Sequence, residues 1–378
     1  MDALRLAGLM GHGRQAALLT RALQAGRVPP TLLFHGPPGS GRLRTALSLG
    51  AALNCAAPIE GDACGACASC HKVAGQNHPD VRICESEGSA RNAGRTLHYP
   101  ATRPGGEEGA EGGGRTGARA GTRLLAAQVR RLLRDLEFRP FEGGRRLVAI
   151  DDLETDPTQG CANILLKTLE EPPADTVLVV LASHGESLPA TVRSRCLALG
   201  FHPMPVPRLA AELEARGLPA TEALRRAALS GGRPGAALAL DLAEESARRD
   251  AVLAALARSL QEGPLAALQA ADALGRSREE FPRLLTHIMT LARDLMSFPW
   301  LRPPAALLHG DVAAEIARLS PICPPARAAR LLDLAAWCER AAERFVDPLL
   351  MLENLLLVAG GHLPVDTLRA PWIDSDSR

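Results

Sequence analysis

The feature that most constrains this chain is a change of pattern between residues 31 and 54. Thr31-Leu32-Leu33-Phe34-His35 is a short apolar run of strand length, and it passes without a spacer into Gly36-Pro37-Pro38-Gly39-Ser40-Gly41. Arg42 to Asn54 then reads as a helix. Strand, glycine loop and helix in that order form a phosphate-binding unit. The loop turns backbone N–H groups inward and the helix N-terminus adds the positive end of its dipole. Later segments supply the rest of a sheet. Arg146 to Ile150 is a buried strand closing on Asp151-Asp152, and Val177 to Leu181 is a second. Between and around them, helical spacing recurs in the first twenty-odd residues (Leu18, Leu19, Leu23). It recurs again from Leu124 to Leu136 (Leu125, Val129, Leu132, Leu133, Leu136). A further helix carries Ile164, Leu165 and Leu169 and stops before Pro172-Pro173. Strands alternating with helices predict a parallel, three-layer α/β sheet. After Pro207, leucine and alanine periodicity through Leu357 predicts helical domains only.

The glycine loop fits G-x-x-x-x-G, but the two residues that follow it depart from the working pattern. A lysine there reaches the β- and γ-phosphates, and the next residue's hydroxyl holds Mg²⁺. Here they are Arg42 and Leu43. Arginine keeps the charge but is planar and bulkier, and leucine offers no oxygen. At the end of the later strand, Asp151 stands where an acid helps hold Mg²⁺. Asp152 stands where a longer glutamate would polarise the attacking water. Gly36, Gly39, Gly41, Arg42 and Asp151 therefore read as a degenerate nucleotide site, which puts binding of ATP or ADP in doubt. The same residues also fit a plain strand-to-helix turn and an aspartate pair capping the next segment.

Nine cysteines are an odd number for a disulfide framework, and 378 residues are enough to build a core without one. Four cluster as Cys55, Cys64, Cys67 and Cys70, spaced C-x8-C-x2-C-x2-C. Zinc takes four soft thiolates in a tetrahedron, and a two-residue spacer lets one tight turn present two sulfurs. Gly61 and Gly65 supply the backbone freedom such a knuckle needs. Unpaired loop thiols, or a redox pair at Cys64-Gly-Ala-Cys67, are the other readings, though a redox pair has no use for two further cysteines nearby. The expectation is a structural Zn²⁺ site. The remaining five cysteines read as small hydrophobes.

Composition excludes several classes. Hydrophobic residues are 46% of the chain, too many for wholesale disorder, and the length suits two or three domains. Lys plus Arg number 43 against 42 Asp plus Glu, so no strong basic field draws nucleic acid. Aromatics are 3%, which argues against a base-stacking platform. No apolar run nears the roughly 20 residues of a membrane span, and the N-terminus lacks a secretory pattern. A soluble, cytoplasmic protein without a membrane partner is expected. Only Lys72 and Lys167 are lysines, so arginine carries nearly all positive charge. Residues 101–122 hold no aliphatic side chain larger than alanine and are read as a flexible insertion.

Two longer motifs carry a resemblance. Asn163-Ile-Leu-Leu-Lys-Thr-Leu-Glu-Glu-Pro-Pro173 and Leu188-Pro-Ala-Thr-Val-Arg-Ser-Arg-Cys196 resemble the bacterial clamp-loader branch of the AAA+ ATPases. The cysteine quartet after the loop helix, and His78-Pro79-Asp80 beyond it, are similar too. The resemblance runs over roughly residues 8 to 240. It implies an AAA+ P-loop domain at 1–202 with a zinc module at 55–70, a helical lid at 203–242, and a helical collar for oligomerisation at 243–378. Within the branch, an ATP-hydrolysing gamma/tau type and a non-hydrolysing type share these motifs. The altered loop favours the second. So does Gly232-Arg-Pro-Gly-Ala-Ala-Leu238, where Gly235 replaces the sensor arginine of the active type, and so does the lack of a long extension. The resemblance then implies a subunit of the DNA polymerase III holoenzyme that works beside gamma/tau and delta subunits. Together they load a sliding clamp on primed DNA. Arg195, in Ser194-Arg195-Cys196, would be an arginine finger reaching a neighbour's ATP. Two other readings stay open: an active gamma/tau-type ATPase in which Arg42 stands in for lysine, and a zinc-dependent nucleic-acid-binding module. Lys167, retained where the motif wants lysine, speaks against the first.

Overall fold

A computed structural model describes residues 4–100, 123–142, 144–156, 158–278, 280–300, 307–342 and 347–363. The insertion expected at 101–122 and the end of the expected collar lie outside the described residues. The chain divides into two compact units. One comprises the residues up to Pro205 together with Arg233–Ala236. The other comprises Val206–Gly232 and the residues from Ala237 onward.

The first unit is built on five strands: β1 (Thr31–His35), β2 (Val81–Cys84), β3 (Arg146–Ile150), β4 (Thr176–Ala182) and β5 (Leu197–Gly200). They form one parallel sheet in the order β2-β3-β4-β1-β5. Parallel neighbours need crossover connections, so the helices end up on both faces. These are α1 (Gly13–Gln24), α2 (Arg42–Leu53), α3 (Ala68–Ala74), α4 (Glu87–Asn92), α5 (Ala126–Leu136), α6 (Gly160–Glu170) and α7 (Ala190–Arg193). Alternation along the strands sorts the side chains. Leu32, Phe34, Leu147, Ala149, Val177 and Val179 pack with Leu19, Ala46 and Leu49 on one face. Leu33, Val148, Ile150, Leu178 and Val180 pack with Val129, Leu132, Leu165 and Leu169 on the other. Each such valine, leucine, isoleucine or phenylalanine side chain, fully buried, contributes about 1.5–3 kcal/mol, which is why the central strands read as unbroken apolar runs.

The predicted three-layer α/β sheet is thus present. The sequence reading did not mark β2 and β5 as strands. Each has only four residues and lies at a sheet edge; β2 is buried at three of them but is too short to stand out as an apolar run, and in β5 Leu197 and Ala198 are exposed. Two helix starts also differ from expectation. The first helix begins at Gly13. The fifth begins at Ala126, with Leu125 outside it at the cap, where its N–H donates to Gln128 Oε1 (3.0 Å) and its side chain stays partly exposed.

The second unit is helical throughout its described residues: α8 (Val206–Glu214), α9 (Ala220–Leu229), the end of α10 (Pro234–Ala239), α11 (Leu242–Glu262), α12 (Pro264–Leu274), α13 (Phe281–Ser297), α14 (Ala313–Leu319), α15 (Pro325–Ala342) and α16 (Pro348–Gly360). A single apolar core joins α11 to α16 through residues such as Leu256, Leu285, Ile288, Leu331 and Leu355. Its buried charges are paired, as burial demands. His287 Nε2 lies 2.8 Å from Glu245, and His309 Nδ1 lies 2.9 Å from Asp294.

Candidate metal centre and phosphate loop

The four clustered cysteines converge as their spacing predicted. Their sulfurs all lie within 4.8 Å of one another, and the closest pairs are 3.8 Å (Cys70–Cys55), 3.9 Å (Cys64–Cys70) and 4.0 Å (Cys55–Cys67). A tetrahedron with arms of about 2.3 Å, the Zn–S bond length, has edges of about 3.8 Å. None of the four is in a disulfide, so the quartet has metal-site dimensions. The turn is built for it: Gly61 and Gly65 take φ of 84° and 79°, as their sequence positions suggested. Cys67 caps α3, accepting from the Cys70 N–H. Backbone N–H groups of Cys64, Ala66 and Cys67 also point at sulfurs, at 3.2–3.4 Å. These donors spread the thiol acidities. The N–H groups of Cys70 and Ala56 bring Cys67 down to about 6, whereas burial pushes Cys70 up to about 12. With four protein sulfurs in the shell, a bound metal has no position left for substrate, which is the structural type of site.

The phosphate loop keeps its backbone shape. Gly36, Gly39 and Gly41 have φ of 150°, 80° and 103°, and α2 starts directly at Arg42. The sequence had named all three as site residues, and the surroundings give each of the first two a packing reason. A Cβ on Gly36 would lie 2.0 Å from the Phe201 carbonyl oxygen, and one on Gly39 would lie 2.9 Å from Ala236. Arg42 is buried to 9% exposure and its Nη1 has no hydrogen-bond partner among the described residues. Leu43 packs on the core below α2 and brings no oxygen to the loop. Burial, then the charge of Asp152, pushes Asp151 up to about 6 against the opposing pull of the Arg42 guanidinium. Asp152 is turned aside: at φ 60° its Oδ2 accepts the Ser86 N–H at 3.0 Å. Gly235 donates its N–H to the Gly39 carbonyl at 2.8 Å. The backbone of 233–236 thus lies on the loop, where a Cβ on Gly235 would come within 3.0 Å of that oxygen.

Arg195 lies just past α7, with its side chain about one-third exposed. The Thr31 hydroxyl donates to its carbonyl at 2.7 Å, fixing the backbone to the start of β1. Its Nε donates to Glu170 Oε1 at 2.6 Å, and Nη2 pairs with the same carboxylate. Its Nη1 donates to the Thr191 carbonyl at 2.6 Å. The sequence reading assigned Arg195 a role in the site but assigned none to Thr31 or Glu170. An acid closing α6 was the available signal, because a helix C-terminus disfavours negative charge.

His78 and Asp80, noted for resemblance alone, are structural. Both are buried, and Asp80 accepts the N–H groups of Phe141 and Glu142 at 2.7 and 2.8 Å. This ties the connection before β3 to the edge strand β2.

A parallel sheet carrying a glycine loop, a strand-end acid pair and a cysteine quartet behind the loop helix is the arrangement of a P-loop α/β protein, and it agrees with the clamp-loader resemblance of the AAA+ type. Comparison with known proteins narrows this. The profile of the family described as "DNA polymerase III, delta subunit" matches residues 11–205. The delta-prime subunit of DNA polymerase III from Escherichia coli K12 is 30% identical over 315 residues, covering 83% of this chain and 83% of that protein. The delta-prime subunit from Pseudomonas aeruginosa is 33% identical over 207 residues, 53% of this chain and 52% of that one. The tau subunit of Escherichia coli K12 is 25% identical over 208 residues, covering 55% of this chain and 27% of tau. The chain belongs to the delta-prime family of DNA polymerase III clamp-loader subunits. No described helix is long and apolar enough to cross a membrane.

Proposed function

We propose that this chain is a largely non-hydrolysing clamp-loader subunit that supplies Arg195 to the ATP site of a neighbouring gamma/tau-type subunit. The observation that supports this most is the imbalance within one unit. The chain's own loop lacks the lysine and the magnesium hydroxyl, while Arg195 stands on the surface with its backbone anchored. An arginine delivered from a neighbour stabilises charge on the transferring phosphoryl group, worth about 10³–10⁵ in rate in the strongest cases. The subunit then acts as a stator in a ring with gamma/tau and delta subunits, and ATP-driven changes of that ring place the sliding clamp on primed DNA. In this reading residues 203–242 are the lid and 243–378 the collar that joins the subunits. The quartet's metal is Zn²⁺ in a structural role, and the protein works in the cytoplasm.

The test is Arg195→Ala in a complex reconstituted with wild-type partners. Assembly should be intact, ATP hydrolysis should fall in part, since only the abutting site loses its finger, and clamp loading should fall further. Unchanged rates for both in a fully assembled complex would overturn the proposal. Steady ATP turnover by the isolated chain would instead favour the gamma/tau-type reading.

A further inference from the structure

We propose that Glu170 is the positioning residue for Arg195, holding one edge of its guanidinium so that the opposite edge is presented to the neighbouring subunit. This rests on the reading of Arg195 as acting in that neighbour. A guanidinium is planar and has five N–H groups, one on Nε and two on each Nη. Here the Nε–H donates to Glu170 Oε1 and Nη2 pairs with the same oxygen, which is the side-on edge of the fork. One Nη1 N–H goes to the Thr191 carbonyl at 2.6 Å. Among the described residues its one further hydrogen bond is a long one, 3.4 Å from Nη1 to Ser194 Oγ. This chain therefore engages Nε and Nη1 by hydrogen bonds and draws Nη2 toward Glu170 from the Nε side. End-on approach of the two Nη groups is the geometry by which a guanidinium meets two phosphate oxygens.

The local chemistry favours a dedicated pairing over a casual surface contact. Glu170 is the last residue of α6, where a carboxylate is disfavoured by the negative end of the helix dipole. Arg195 is anchored at both ends, its carbonyl by Thr31 and its head by Glu170 and Thr191. A long arginine otherwise loses much rotamer freedom when fixed at a phosphate, and a head already held has less to lose. Glu170 touches no substrate in this arrangement; it acts only through Arg195.

The experiment uses the complex assembled with gamma/tau- and delta-type partners and compares wild type, Glu170→Ala, Glu170→Gln, Arg195→Ala and the double variant Glu170→Ala/Arg195→Ala. Single-turnover ATP hydrolysis is followed, with KM for ATP measured separately. Arg195→Ala should slow the phase belonging to the abutting site. Glu170→Ala should slow that same phase about tenfold, with KM for ATP unchanged, because one charged hydrogen bond orients the head in the transition state. Glu170→Gln, which keeps an acceptor oxygen, should recover part of the loss. The double variant should be no slower than Arg195→Ala alone. If Arg195→Ala slows hydrolysis while Glu170→Ala leaves it unchanged or speeds it, Glu170 does not position the finger and the reading of Arg195 stands. Additive losses in the double variant would likewise overturn the proposal. If Arg195→Ala itself has no effect, the finger reading has failed. Thermal melting and zinc content of each variant separate a folding defect from these outcomes; should Glu170→Ala not assemble, Glu170→Gln against Arg195→Ala gives the same decision.

Discussion

The phosphate loop and the thiolate quartet sit at opposite ends of α2, and each has kept what its neighbours or its chemistry require. The loop keeps its glycines. Gly36 must pass the Phe201 carbonyl and Gly39 must pass Ala236, so both positions exclude a side chain whether or not a nucleotide ever binds. What the loop lacks are the groups that only a nucleotide would use, since Arg42 and Leu43 replace lysine and a hydroxyl. The quartet is the reverse case. Cys55, Cys64 and Cys67 are only half-buried, and packing alone gives no reason for four thiols to meet at tetrahedral distances. A ligand gives one. A glycine-rich loop is therefore weak evidence for a ligand where backbone packing explains it, and a convergent set of side chains is strong evidence where packing does not.

Four outcomes would break or sharpen that contrast, taken from the largest effect downward. Gly36→Ala should destabilise the first unit by about 3 kcal/mol or more, because backbone must move to admit the methyl group. Denaturant unfolding that shows a loss below about 0.5 kcal/mol would return the glycine to a ligand-only role. Cys67→Ser should lower bound zinc from about one per chain to almost none while leaving the sheet folded, since the sheet has its own core. Elemental analysis of protein purified without chelator, together with far-ultraviolet circular dichroism, checks both halves; wild-type protein free of zinc would end the metal reading. Arg42→Lys with Leu43→Thr should raise ATP affinity about 10–100-fold without comparable turnover, because Asp152 and Gly235 still differ from an active site. Titration with a fluorescent ATP analogue measures this, and no gain in affinity would mean that the loop backbone itself has closed.

The smallest effect concerns pH. Asp151 has a folded pKa of about 6, above its unfolded value, so between about pH 4 and pH 6 the native chain holds a proton that the unfolded chain releases. Stability therefore falls as pH rises through that window, and the ionised carboxylate remains a burden above it. Asp151→Asn should raise Tm by a few degrees at pH 8 and leave it unchanged near pH 4. An equal gain at both pH values would assign the effect to something other than this carboxyl.

How much of this was readable in advance depended on distance along the chain. β1, β3 and β4 are apolar runs long enough to be recognised, and the sequence located them to within a residue. β2 and β5 are short edge strands, and they become strands only because β3 and β1 offer them a hydrogen-bonding edge. The quartet was legible because its ligands lie within 16 residues and a turn suffices to gather them. Arg195 was legible from its motif, but its partner Glu170 lies 25 residues away on another element.

The sequence alone determined the alternation of strands and helices, the four clustered cysteines that could hold a metal ion, and the absence of the lysine and hydroxyl after the glycine loop. Those are local properties: side-chain period, ligand spacing and residue identity act over one or two turns of chain. Tertiary structure decided the strand order, the seat of Gly235 on Gly39, the burial of Arg42 without a partner, and the three bonds that hold Arg195. Apart from the local Thr191 bond, the contacts among these join segments 25 to nearly 200 residues apart, and the packing of both sheet faces selects those meetings in a way that no local pattern encodes.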